Sequence, residues 1–326
     1  MDRISVRLLA ATPGAALLVA AAARVSLSRK PIEDLLSMGE EEVARWAWEL
    51  VRRSHGSPLE HASYTFLAEG CSRVCTHQLV RHRLASYTQQ SMRYTDGYIR
   101  LAALRASEAL GLDCPASRKA RGALDCYARA LAGAAEAAAA GEEWAVEAAR
   151  EAFVFPQAIR GEALASYASG LLGAASSYYR LQAAGVPMEE ARYLLPQSAR
   201  SRIVFTMNAR ELLESFIPLR TCARAQAEMR LVAWRVLWIL REVEPAIFRY
   251  AGPRCVLLEN RVRGDPRPLE DYLEGRAGFT IERCPELVPR QGIRACLSHA
   301  ASSAGTRVLG GSTTGAARVQ AGPEGG

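Results

Sequence analysis

Arg81-His82-Arg83-Leu84-Ala85-Ser86-Tyr87-Thr88-Gln89-Gln90-Ser91-Met92-Arg93-Tyr94 carries three arginines, a histidine, two serines and no carboxylate. Such a run cannot neutralise itself, so it calls for an anion. Arg81, Arg83 and Arg93 present planar donor forks that match phosphate oxygens. Ser86 and Ser91 add hydroxyls, and His82 can stack or hydrogen-bond. Upstream, Cys71 to Val80 has a helical apolar rhythm, with Val74, Gln78 and Arg81 on one face. A helix over 71–83 followed by a mostly extended 86–100 would hold the cations at a helix C-terminus.

This pattern, Arg-His-Arg, a serine three positions on, then Ser-x-Arg-Tyr, resembles the signature of the flavin-dependent thymidylate synthases. Thr88 and Gln89 stand where that family often has Asn and Glu. Three further blocks are similar and come in the same order. They are His55-Gly56-Ser57-Pro58-Leu59-Glu60-His61, then Glu190-Ala191-Arg192-Tyr193-Leu194-Leu195-Pro196, then Asn208-Ala209-Arg210-Glu211-Leu212. Leu219-Arg220 and Ala225-Gln226-Ala227-Glu228-Met229-Arg230 close the set. Arg210 and Arg220 lie one position farther apart than in the family pattern, which puts an extra residue at Glu214-Ser215. The resemblance covers roughly residues 1–100 and 185–250.

The resemblance implies an α/β (α+β) fold, a twisted, mostly antiparallel sheet flanked by long helices, with an added helical insertion. It implies bound FAD and the reductive methylation of dUMP to dTMP. The carbon comes from 5,10-methylenetetrahydrofolate and the hydride from FADH2, re-reduced by NADPH. It also implies a homotetramer with shared sites in the cytoplasm. Residue by residue, Arg220 becomes the cation that activates uracil. Gln78, Arg81, Gln89, Gln90, Ser91, Arg93 and Arg192 become nucleotide contacts. His55, Ser57, Arg81, His82, Arg83, Gln89, Asn208 and Arg210 become flavin contacts, with Glu214 or Ser215 at a further flavin position. Without the motif, Arg220 would read as a helix N-terminal arginine in a surface ion pair. Arg192 would read as a partner of Glu189 on its own helix, and His55 as a loop histidine.

Composition fits this picture. The chain has 326 residues, is 49% hydrophobic and carries a net charge of +7, so it is globular with anionic partners. Lys30 and Lys119 are its only lysines. The eight cysteines (71, 75, 114, 126, 222, 255, 284, 296) show no tight disulfide pattern, which favours a reducing cytoplasm. Leu8 to Ala23 is apolar but broken by Pro13-Gly14, so it reads as strand, turn and helix, not as a membrane span. No Gly-x-Gly-x-x-Gly follows a strand, so a Rossmann domain is not indicated. Cys71-x-x-x-Cys75-x-His77 lacks paired Cys-x-x-Cys spacing and reads as core, so no metal site is expected. The competing reading is a basic nucleic-acid-binding protein without catalytic activity, but interleaved aromatic repeats are missing.

Periodicity places strands at 4–11, 63–68 and 203–207. Helices fall at 40–53, 162–184, 208–216 and 220–243, and an Ala-rich helix at 117–140 has Ser117 as its N-cap. The expected organisation is a synthase domain over 1–250, with 101–160 an inserted helical hairpin. Residues 251–301 form a C-terminal extension in which apolar periodicity fades, and 302–326 form a disordered tail.

Overall fold

Tyr64, Phe66 and Ala68 are buried in alternation with half-exposed neighbours, and this period of two makes Ser63–Ser72 a strand with one face in the core. The computed structural model describes residues 3–302; the expected tail beyond them lies outside the described residues. The strand 63–72, β2, pairs antiparallel with β1 (Ser5–Ala11) and with β4 (Arg200–Asn208). The third strand, β3 (Ala85–Gln89), pairs antiparallel with β4, giving the order β1-β2-β4-β3. The register sets Thr65 opposite Thr206, with hydroxyls 2.9 Å apart, and Phe66 opposite Phe205, with rings stacked at 5.4 Å. A bulge follows Glu69. Gly70 takes φ +76 there, and a Cβ on it would stand 2.3 Å from the Arg3 carbonyl oxygen, so the position requires glycine.

The described residues form two hydrophobic cores. The sheet's Tyr64, Phe66, Ile203, Phe205 and Met207 share the first with α1 (Ala15–Val25), α2 (Glu40–Arg52) and a helix over Ala227–Val243, whose Trp234 is fully buried. The second joins α4 (Gly97–Ala109), α5 (Ala123–Ala139), α6 (Glu143–Ala152) and α7 (Glu162–Ala183). Alanine at most contact positions lets these helices approach closely. Tyr127, Tyr178 and Tyr179 fill the remaining volume, and Tyr179 donates its hydroxyl to Asp96 at 3.0 Å.

Several sequence expectations need correction. The helix expected over 71–83 is only α3 (Arg73–Leu79), because β2 runs on to Ser72. The Ser72 hydroxyl caps α3 by accepting from Cys75 N at 3.1 Å and donates to the buried Glu228 carboxylate at 2.6 Å. The extended segment ends at Gln89; the Ser91 carbonyl then accepts from Tyr94 N and Thr95 N, and α4 starts at Gly97. Ser117 is not the N-cap of the Ala-rich helix. It heads a separate turn, and Gly122 in the left-handed region starts α5. The 101–160 segment is not a hairpin on its own, since its helices complete a core with α7. Cys114 and Cys126 form a disulfide across that turn, with Cα atoms 5.5 Å apart, where the sequence showed no pairing.

Beyond Gly252, where periodicity fades, helices nevertheless occupy Arg254–Val262, Leu269–Glu274 and Arg290–Ser302. They are short and joined by buried polar groups, which is why no long apolar stripe announces them. The fully buried Glu259 carboxylate accepts from Thr280 N, Thr280 Oγ1 and Ile281 N. Asn260 Oδ1 accepts from Tyr272 Oη at 2.6 Å and Arg267 N at 2.9 Å.

Candidate active site

The segment after β4 begins with Asn208, whose Oδ1 accepts from Glu211 N at 2.8 Å and so starts a helix. That helix is α-helical at Ala209–Glu211, widens to one π turn at Leu212–Phe216, and is α-helical again at Ile217–Arg220. A π turn takes up one extra residue without unwinding the helix. The residue inserted at Glu214-Ser215 is accommodated in this way, and Glu211 and Arg220 both reach the same histidine. Arg220 thus ends this helix and does not begin the next one, which starts at Ala227 under a side-chain cap from Gln226.

His82 is 4% exposed and engaged at both ring nitrogens. Arg220 Nε donates to His82 Nε2 at 2.9 Å. A guanidinium Nε carries a proton and no lone pair, so Nε2 must be the acceptor. The ring proton therefore sits on Nδ1 and is donated to Glu211 Oε1 at 2.7 Å, with Ser215 Oγ at 3.1 Å. Phe216 packs edge-on at 5.2 Å between ring centroids. Arg220 Nη2 also donates to the Gln78 carbonyl at 3.3 Å. Burial pulls the Arg220 pKa below the ordinary arginine value, and Arg81 nearby adds to the pull; the group remains a cation at neutral pH. Among the described residues no ion pair reaches Arg220, Arg81 or Arg83. A half-buried cation with the exposed Arg81 near it and no carboxylate partner among the described residues has the chemistry to take an anion.

A cavity of about 710 Å³ is lined by His55, Ser57 and Arg210, and also by Trp46, Glu49 and Arg53. Its size is that of a cofactor or drug-sized ligand site. Arg210 is fixed at its rim by Glu60 at 2.5 Å and Glu214 at 3.1 Å, and these hydrogen bonds, Glu60 first, raise its pKa. Gly56 makes this possible: a Cβ there would lie 2.4 Å from Arg210 Nε. Arg45, Arg53 and Arg210 line the cavity, with Arg53 paired to Glu49 at 2.8 Å, so its volume and donors are compatible with a flavin dinucleotide.

The other residues singled out in the sequence divide in two. Arg93 is exposed and pairs with the Glu189 carboxylate at 2.8 Å, while Arg192 Nε donates to the Glu189 carbonyl at 2.9 Å. Glu189 thereby gathers two candidate nucleotide arginines from segments far apart in sequence. Ser91 Oγ accepts from Arg93 N, and Gln90 N donates to the Arg202 carbonyl. Gln89 turns its amide inward to Thr76 Oγ1 and Ser201 Oγ. His82, expected beside a flavin, has no ring nitrogen left for one. Glu211 and Ser215 were missed as its partners. The available signal was a carboxylate directly before the apolar pair Leu212-Leu213.

A half-buried arginine held by His82 and, separately, a cavity of cofactor size are features that a nucleotide- and cofactor-binding enzyme would use. Residues 7–246 match the family model described as thymidylate synthase complementing protein. A flavin-dependent thymidylate synthase of Aeropyrum pernix is 51% identical over 310 residues, covering 92% of this chain and 94% of that one. A second, of Sulfurisphaera tokodaii, is 34% identical and covers 90% and 96%. Among solved structures, a flavin-dependent thymidylate synthase of Helicobacter pylori in complex with FAD and dUMP shares the fold. It has a TM-score of 0.51, is 22% identical, and covers 76% of this chain and 99% of that one. The chain belongs to the family of flavin-dependent thymidylate synthases.

Proposed function

We propose that the chain converts dUMP to dTMP, taking the carbon from 5,10-methylenetetrahydrofolate and reducing power from NADPH through FAD. The observation that carries this is Arg220, a half-buried guanidinium held by His82 and Gln78 and, among the described residues, without a carboxylate partner. Uracil C5 is a weak nucleophile until the base carries negative charge, and a fixed cation at the base stabilises that charge as it develops. Arg81, Arg93 and Arg192, with Gln78, Gln89, Gln90 and Ser91, hold the nucleotide. Among them the arginines supply forks for its phosphate. His55, Ser57, Arg81, Arg83, Asn208 and Arg210 face the flavin, which, when bound and reduced, supplies the hydride that completes the methyl group.

No cysteine is needed as nucleophile. Cys75, a neighbour of Arg220, is buried, and its thiol is pushed well up by the hydrogen bond with Cys71 and by burial. Leu84, Tyr94 and Tyr193 are 64%, 76% and 86% exposed beside Arg83, Arg93 and Arg192. Apolar surface at that place supports a homotetramer in which a second copy closes the site. The proposed compartment is the cytoplasm. No helix among the described residues is long and apolar enough to cross a membrane.

The test is tritium release from dUMP labelled at C5. Arg220→Ala should nearly abolish it while flavin content stays near wild type, and Arg220→Lys should rescue poorly because an ammonium lacks the planar fork. Turnover near wild type in the alanine variant would refute the assignment.

A further inference from the structure

Four of the six free cysteines meet at one place. Cys222, Cys255, Cys284 and Cys296 line a single small, mainly apolar cavity, walled otherwise by residues such as Val288, Ile293 and Leu297. They come from four separate segments: the loop after Arg220, the helix Arg254–Val262, the loop preceding Pro285, and the helix Arg290–Ser302. Cys222, Cys255 and Cys296 each lie within electrostatic reach of other members of the set. Buried cysteines commonly pack as small apolar residues. That reading explains any one of these, but not why every cysteine after residue 126 turns to the same cavity.

Three observations narrow the chemistry. Cys114 and Cys126 are joined by a disulfide, yet these four remain free thiols. Among the described residues no three Cys, His, Asp or Glu side chains close around a point as a single metal ion requires. Zinc would draw its sulfurs in to about 2.3 Å, whereas these surround a cavity, as the ligands of a polynuclear cluster do. Positive charge is also at hand. Arg224 and Arg254 line the cavity with Glu286, which pairs with Arg254 at 3.7 Å, and Arg230 is within electrostatic reach of Cys222 and Cys296, so cations outnumber the one carboxylate there. Guanidinium groups around buried sulfur offset the negative charge of ligated thiolates.

We propose that Cys222, Cys255, Cys284 and Cys296 bind a [4Fe–4S] cluster that ties the C-terminal extension to the segment following Arg220. Assembly from two ferrous and two ferric ions with four sulfide ions gives the 2+ core without a change of oxidation state, replaces four S–H bonds with four Fe–S bonds and releases the four thiol protons. The near side of that segment is already braced. Arg230 Nη1 donates to the Ala223 and Ala225 carbonyls at 2.9 and 2.8 Å, and Trp234 Nε1 donates to the Thr221 carbonyl at 3.0 Å. The cluster fixes its far side. The inference stands whether or not the thymidylate reading holds.

The test is iron and acid-labile sulfide analysis, with Mössbauer spectroscopy, on the full chain expressed and purified without oxygen. About four iron and four sulfide per chain are expected. Iodoacetamide should leave the four cysteines unlabelled in the purified protein and label all four after iron is removed by a chelator. Cys284→Ser and Cys296→Ser should each cut iron to less than a quarter of the wild-type content. If those variants fail to fold, the labelling of the unaltered protein decides. Stoichiometric zinc, two disulfides among the four by peptide mapping, or protein purified without oxygen that holds no iron and labels at all four thiols before any chelator is added would each overturn the proposal.

Discussion

Glu211→Leu should slow thymidylate formation by about tenfold to a hundredfold without loss of flavin. Glu211 is 6% exposed and its carboxylate accepts a hydrogen bond from His82 Nδ1–H at 2.7 Å. Leucine fills much of the volume but accepts nothing. The ring can then move its proton to Nε2, which puts an N–H against Arg220 Nε–H and drives the guanidinium away. A hydrogen bond to a charged group contributes about 1.5–3 kcal/mol, and each ~1.4 kcal/mol is a factor of ten in rate. Glu211→Gln keeps an acceptor for Nδ1–H and loses only the charge, so a few-fold effect is expected. His82→Phe preserves the edge contact with Phe216 and removes both nitrogens; it should match Glu211→Leu. The double variant should be little worse than either single one, because all three residues act as one chain of contacts. The readout is tritium release at saturating dUMP, with flavin absorbance as the control. Glu211→Leu turning over within twofold of wild type, or a fully additive double variant, would refute the reasoning.

Gly56→Ala should lower flavin content several-fold, measured by absorbance after gel filtration, since its Cβ would meet Arg210 Nε at 2.4 Å and dislodge it from Glu60 and Glu214. Cys114→Ser should cost about 2–3 kcal/mol in denaturant unfolding, as expected for a link across 12 residues, and leave turnover unchanged. The hydrogen bond from Arg52 holds the Glu49 carboxyl at about 2, below its ordinary value of 4.5. A depressed carboxyl stabilises the fold above its unfolded pKa and loses that contribution as pH falls through the folded one. Glu49→Gln should therefore flatten the acid limb of stability between pH 4.5 and 2, by a small amount because the pair is partly exposed. The urea midpoint followed against pH checks this.

The sequence by itself determined what depends on near neighbours. Alternation over 63–68 located the central strand, and the 3.6-residue rhythm placed helices at 40–53 and 162–184, each within one residue of the observed Glu40–Arg52 and Glu162–Ala183. The carboxylate-free run 81–94 identified an anion-binding segment, and its spacing pointed to the family. Tertiary structure alone decided what depends on distant residues. His82 meets Glu211 and Arg220 across 129 and 138 positions, and no local pattern records such a meeting. The extra residue before Arg220 was visible as a spacing, but only the fold resolved it as a π turn that keeps Arg220 on His82. Ser117 looked like an N-cap because capping chemistry is local, yet the disulfided turn that moves the helix start to Ala123 is not. The late cysteines read as scattered for the same reason: Cys222 and Cys296 are remote along the chain and adjacent only once the short C-terminal helices fold back over the segment beyond Arg220.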